Sequence, residues 1–264
     1  MTTKAVIGMI GAGNMGSAIL AGIVKGHRVA VCEADAARGR RLKRQFPIEL
    51  LDLPELCRRA RVLILAVKPQ VFEEVLTAIR PHVRKSHVVV SIAAGITTPY
   101  IEKRLPPGTR VIRTMPNLPA QVGRGVTGIC AGKFATQADT NLARRLFASV
   151  GKAVTLDESL IDAVTAVSGS GPAYVFLFLE GWIKASTRLG LSEQLSREMV
   201  IETCAGALEL LMESGEEAST LRERVTSKGG TTAAALQEFS AAKWEQTIYQ
   251  AIKAARRRAK ELSR

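Results

Sequence analysis

The chain has 264 residues, of which 47% are hydrophobic, 23% charged and 5% aromatic. This excludes a disordered chain and allows one large domain or two modest ones, their cores filled by Ala, Val, Leu and Ile. The net charge of +13 suits anionic partners, but the basic residues fall in scattered knots (Arg38, Arg40 and Arg41; Arg58, Arg59 and Arg61; Arg256, Arg257 and Arg258) without a zinc-finger or aromatic RNA-binding pattern, so no nucleic-acid partner is expected.

In chain order, residues 5–10 predict a short buried strand and 14–25 a helix closed by Gly26. Residues 29–32 predict a second strand, followed by a basic helix to about Phe46. The apolar run 62–67, stopped by Pro69, predicts a third, and 88–92 and 110–113 two more. Strands separated by helices argue for a doubly wound parallel sheet of Rossmann type, and continuous apolar runs argue that both its faces are covered.

After about residue 155 the strand signal ends. Segments 171–190, 193–214, 231–239 and 241–262 predict helices, the first apolar on most faces and so buried, best explained if a second subunit covers it. The expected division is residues 1–156, a dinucleotide-binding domain, and 157–264, an all-α dimerisation and substrate domain. No run reaches the roughly 20 apolar residues of a membrane span, and the opening residues do not read as a signal peptide. Cys32, Cys57, Cys130 and Cys204 lie far apart and suit reduced cytosolic thiols. His27, His82 and His87 form no ligand cluster, so no metal site is expected.

The clearest chemistry lies at Gly11-Ala12-Gly13-Asn14-Met15-Gly16, between a predicted strand and a predicted helix. Gly11 permits the tight turn, Gly13 lets backbone approach a pyrophosphate, and Gly16 lets the helix pack close to the strand. The helix N-terminus offers N–H donors to phosphate. Glu33 follows 20 residues after Gly13, where an acid can accept from a ribose 2′-hydroxyl and favour NADH. Arg38, Arg40 and Arg41 could instead hold a 2′-phosphate and favour NADPH, and both coenzymes stay open.

Residues 8–16, Ala66-Val67-Lys68-Pro69-Gln70, residues 91–96, Met115-Pro116-Asn117, Ser168 to Tyr174 and Val225 to Thr232 together resemble the pyrroline-5-carboxylate reductases, in family order and over nearly the whole chain. The resemblance implies reduction of 1-pyrroline-5-carboxylate to L-proline with NADPH or NADH, the last step of proline biosynthesis. It also implies a Rossmann-type domain followed by a helical domain that interleaves with a partner in a homodimer, larger rings of dimers, and a cytoplasmic enzyme. Ile10 through Met15, Glu33, Ala66, Val67, Lys68, Pro69, Ile92, Ala93 and Ala94 become the coenzyme contacts. Lys68 reads more readily as a loop lysine than as a catalytic amine, and residues 115–117 as either a pocket wall or a plain loop.

Two glycines and two threonines before a helix make an N-cap and an anion site. Ser227, Gly229, Gly230, Thr231 and Thr232 are the candidate contacts to the substrate carboxylate. The resemblance adds the Thr232 hydroxyl near the imine nitrogen, the one candidate catalytic group. Lys228 departs from the family's usual Pro, Ala235 from a common Gly, and Asp52-Leu53 replaces a polar Asn that often contacts adenosine.

Overall fold

A computed structural model describes residues 6–263. Along the chain run β1 (Val6–Ile10), α1 (Asn14–Ile23), β2 (Val29–Cys32), α2 (Ala36–Gln45), β3 (Ile48–Leu50), α3 (Leu53–Arg59) and β4 (Ala60–Leu65). There follow α4 (Phe72–Ile79), β5 (Val88–Ser91), α5 (Thr98–Arg104), β6 (Arg110–Met115), β7 (Gly125–Ala131), α6 (Gln137–Ala148) and β8 (Gly151–Thr155). After a short α7 (Ile161–Val164) and a π turn come α8 (Gly171–Arg188), α9 (Glu193–Ser214), α10 (Ala218–Arg224), α11 (Thr231–Ala241) and α12 (Trp244–Leu262). Ala5, the first residue of the predicted first strand, lies outside the described residues.

The strands form one sheet in the order β3-β2-β1-β4-β5-β6-β7-β8, parallel except for the β6–β7 pair. Alternate residues feed two cores, as a pleated strand requires. Ile7, Met9, Val31, Ile64 and Val90 pack with α1 and α6, while Ile10, Leu63, Leu65 and Val89 pack with Leu56, Phe72, Leu76 and Ile101 of α3, α4 and α5.

Several boundaries differ from the sequence reading. The third predicted strand is β4 and occupies Ala60–Leu65, because the ladder ends before apolarity does and pre-proline Lys68 is already extended outside it. The first helix stops at Ile23: Val24 still bonds to the Leu20 carbonyl, but the N–H groups of Lys25 and Gly26 bond to carbonyls three residues back, at Gly22 and Ile23. β3, β7 and β8 were not predicted: β3 is three residues long, Gly125 and Gly128 mask β7, and β8 is largely exposed.

The chain divides into two compact units, Met1–Pro172 with Ala255–Arg264, and Ala173–Ala254. In the second, α8 has no buried residue, so the expectation of a buried helix is not met within one chain. The helical run Glu158–Arg188 is long and apolar enough to cross a membrane by length and composition, which corrects the expectation that no such run exists. That expectation counted unbroken apolar residues, whereas this run dilutes its charges among many apolar and small ones.

Candidate active site

The loops after β1, β4 and β5 lie side by side at the carboxyl ends of neighbouring strands, and strand order reverses between β1 and β4. In open α/β sheets that is where ligands bind. Each glycine of the fingerprint has a distinct local cause. Gly11 has φ +79°, and a Cβ there would lie 2.7 Å from Val67 Cγ1 and 2.9 Å from the Ala66 carbonyl oxygen. Gly16 packs α1 onto the sheet, since its Cβ would come within 3.1 Å of Ala66 Cβ. Gly13 differs, because nothing lies within 4 Å of where its Cβ would be. Internal packing therefore does not demand this glycine, whereas a ligand pressed against the backbone would.

Gly13 caps α1 without a side-chain hydrogen bond, and the first turn holds no acid, so the helix presents its N–H groups and positive end. Ile10 and Ala12 are buried, Gly11, Gly13 and Met15 half-buried, and Asn14 exposed. These features fit the diphosphate of a dinucleotide.

The Glu33 side chain is only 5% exposed. It accepts from the Ala12 N–H at 2.8 Å, joining the end of β2 to the glycine loop. Ala66 and Val67 are half-buried beneath that loop, while Lys68 is exposed and Pro69 opens a short 3-10 turn. Ile92 is half-buried and Ala94 exposed, but the Ala93 side chain faces the core beside Leu65 and Ile96. Ala93 can thus offer only backbone to a ligand.

Two braces escaped the sequence reading. Asn117 Nδ2 donates to the Ser168 carbonyl at 3.1 Å and to Ser168 Oγ at 3.2 Å, while its Oδ1 accepts from Val126 N–H. Residues 115–117 therefore include a structural tie to the π turn. Arg113, 4% exposed, pairs with Glu158 at 2.9 Å, and Glu158 also accepts from the backbone and hydroxyl of Thr98 at the start of α5. The signal for this one was an arginine inside an apolar strand, which needs a buried partner.

In the second unit, Gly229 has φ +69° and Gly230 is the N-cap of α11. The Gly230 N–H donates to the Ser227 carbonyl at 3.0 Å, and a Cβ on Gly230 would lie 2.3 Å from Ser227 Oγ. The first turn of α11 has neither an acid nor a side-chain cap, leaving its N–H groups for an anion. Thr232 is half-buried there, whereas Ser227, Lys228, Gly229 and Thr231 are exposed. Two concavities, about 400 Å³ beside Asp52, Arg58 and His82 and about 530 Å³ beside Phe239, Lys243 and Trp244, are lined by none of the predicted site residues.

Comparison with known proteins agrees with this layout. Residues 158–262 match the pyrroline-5-carboxylate reductase dimerisation family, and residues 6–95 match the NADP oxidoreductase, coenzyme F420-dependent family. A pyrroline-5-carboxylate reductase of Mycobacterium tuberculosis is 36% identical over 97% of this chain and 96% of its own length. The structure of the Coxiella burnetii pyrroline-5-carboxylate reductase superposes with a TM-score of 0.93 at 32% identity, covering 100% of both chains. That of the Plasmodium falciparum pyrroline carboxylate reductase, with NADP bound, gives 0.87 at 29% identity, again covering 100% of both. With relatives matching from end to end, and with the glycine loop and the Gly-Gly-Thr-Thr cap each built as described, the chain belongs to the pyrroline-5-carboxylate reductase family.

Proposed function

We propose that this chain reduces 1-pyrroline-5-carboxylate to L-proline with NADPH or NADH, the last step of proline biosynthesis. It works in the cytoplasm as a homodimer with intertwined helical domains, which can assemble further into a ring of dimers. Residues 1–156 serve the coenzyme, and residues 157–264 serve dimerisation and the substrate. The apolar surface of α8 is then a face between copies and not a membrane span. Neither a membrane nor nucleic acid is a partner in this reading.

The observation that carries the proposal is the open space over Gly13 at the uncapped start of α1, in a chain similar to these reductases over its full length. A reduced nicotinamide, when bound, supplies the hydride. The chain's own work is positioning and electrostatics. Ile10, Gly11, Ala12, Gly13, Asn14 and Met15 form the diphosphate cradle. Ala66, Val67, Lys68, Pro69, Ile92, Ala93 and Ala94 border the place for the nicotinamide. Ser227, Gly229 and the N–H groups of Gly230, Thr231 and Thr232 hold the substrate carboxylate. The Thr232 hydroxyl keeps a proton at the imine nitrogen. Fixing two reactants in this way removes several kcal/mol of barrier, and no acid–base dyad is needed.

The test is coenzyme oxidation by the purified full chain with 1-pyrroline-5-carboxylate, with proline measured alongside. Proline should appear in step with coenzyme consumed; binding without turnover would make the protein a coenzyme-binding module instead. Thr232→Ala should lower kcat by on the order of a hundredfold with little change in coenzyme affinity. Unaltered kinetics would remove Thr232 from the chemistry.

A further inference from the structure

The end of β2 is where a dinucleotide-binding fold distinguishes a free ribose 2′-hydroxyl from a 2′-phosphate. The sequence places both an acid, Glu33, and a cation, Arg38, there. Their side-chain arrangement decides between them.

Glu33 is held from two directions. Its Oε2 accepts from Ala12 N–H at 2.8 Å, and its Oε1 accepts from Asp35 N–H at 3.0 Å and from Arg38 Nη1 at 3.2 Å. Turning it outward would leave the Ala12 N–H unpaired in a largely buried place. A carboxylate offers about four acceptor positions. Three are used, which leaves one for a hydroxyl donor.

Arg38 is committed to this chain's own acids. Its other nitrogen, Nη2, lies 3.6 Å from Asp35 Oδ2. Asp35 also occupies the start of α2, where its Oδ1 accepts from the backbone of Ala37 at 2.9 Å and of Arg38 at 3.0 Å. These are the helix donors that a phosphate would otherwise use. The backbone N–H groups of Arg38 and Ala37, with the charges of Arg38 and Arg41 behind them, hold the Asp35 carboxyl below its ordinary range. A phosphate dianion here would meet two fixed carboxylates and a guanidinium shared between them. Arg40 and Arg41 on the same helix are both exposed to solvent, and Arg41 acts on Asp35; their charge is screened within roughly 8 Å at physiological salt.

We propose that this chain is selective for NADH over NADPH, and that Glu33 is the discriminating residue, accepting a hydrogen bond from the adenosine ribose and repelling a 2′-phosphate. The proposal rests on the reductase reading above and deepens it. It separates this chain from the Plasmodium falciparum relative, whose structure holds NADP.

Two measurements on the full-length protein test it. The first is kcat/KM for NADH and NADPH with saturating 1-pyrroline-5-carboxylate. The second is calorimetric titration with each coenzyme in the absence of substrate. NADH should be favoured by roughly tenfold or more in both. Glu33→Ser, which frees Arg38, should move the ratio toward NADPH by a similar factor, and Asp35→Ser should move it the same way but less. Equal use of the two coenzymes, or a preference for NADPH, overturns the proposal. So does a Glu33→Ser protein that loses affinity for both coenzymes equally, since Glu33 would then only brace the glycine loop. If neither coenzyme supports turnover while titration still favours NADH, the preference is upheld and the reductase reading fails.

Discussion

In the sheet unit, Phe72, Phe147, Met9 and Ile64 have essentially no surface left, and helices close both faces of the strands. The helical unit is the opposite. α8 and α11 contribute no buried residue, and α9 contributes only Ser196 and Val200. Val175, Phe176 and Leu177 keep 52%, 57% and 70% of their surface. Contiguous apolar exposure on this scale is not typical of a monomer. The sheet unit satisfies its hydrophobic residues within one chain, whereas the helical unit has the composition of a core without the neighbours to make one. The family matched over this same stretch is a dimerisation family, which suggests an oligomer, and in the proposed reading a second copy supplies those neighbours.

The contrast can be broken most sharply at Leu177. In a monomer, Leu177→Asp would change stability by no more than about 0.5 kcal/mol, as for other surface positions. With a second copy covering α8, it buries an unpaired charge, and the dimer should lose about 3–5 kcal/mol and fall apart in sedimentation experiments. A variant that keeps the wild-type mass in solution would show that α8 is not the contact face.

Phe72→Ala, in the closed core, should cost about 3–5 kcal/mol. That loss should not depend on protein concentration, whereas melting of Leu177→Asp should, and thermal melts across a dilution series check the difference. Gly11→Ala comes next. It forces a side chain into φ +79° and against Val67, costing about 1–3 kcal/mol. Coenzyme affinity should drop more than tenfold because the cradle itself moves; titration with NADH reads this directly.

The smallest effect is a pH dependence confined to the sheet unit. Buried His87 accepts from Arg84 N–H at Nδ1, while its Nε2 lies against the Cys57 and Ala60 carbonyls at 3.0 and 3.1 Å. That arrangement holds the neutral ring, with the proton on Nε2. Burial, ahead of the neighbouring arginines, lowers the His87 pKa from its usual 6.5, while the two carbonyls act in the opposite direction. Since the folded state binds the proton less readily than the unfolded one, stability from this residue is present above about pH 6.5 and drains away as pH falls toward the folded value. His87→Gln should be less stable at neutral pH and should lose part of that slope between pH 7 and 5. An identical slope in the variant would assign it to other groups.

Much of this was legible locally. The glycine loop could be read because three roles at fixed spacing leave no substitute for glycine at two of its positions, and the Gly-Gly-Thr-Thr cap because left-handed backbone and a bare helix start have their own residue signature. β7 was not legible. Its glycines at 125 and 128 are required by Ala120 in the turn before it and by Val150 and Val164, which press on it from farther along the chain. α6 was missed although Thr136 and Asp139 form a capping box at its start. α3 was missed although Asp52 accepts from Glu55 N–H and Pro54 lies in its first turn. Those signals were present and unused.

From the sequence alone came five of the eight strands with the helices α1 and α2 between the first of them, the glycine loop after β1 and the Gly-Gly-Thr-Thr start of α11, because each depends on neighbours within a few residues. Tertiary structure alone decided that Asn117 ties down the π turn, that Glu158 serves both Arg113 and Thr98, and that Glu33 holds the Ala12 N–H of the glycine loop. These pairings join residues whose separation along the chain carries no signal, and a buried charge chooses its partner only once packing has removed the water that would otherwise solvate it.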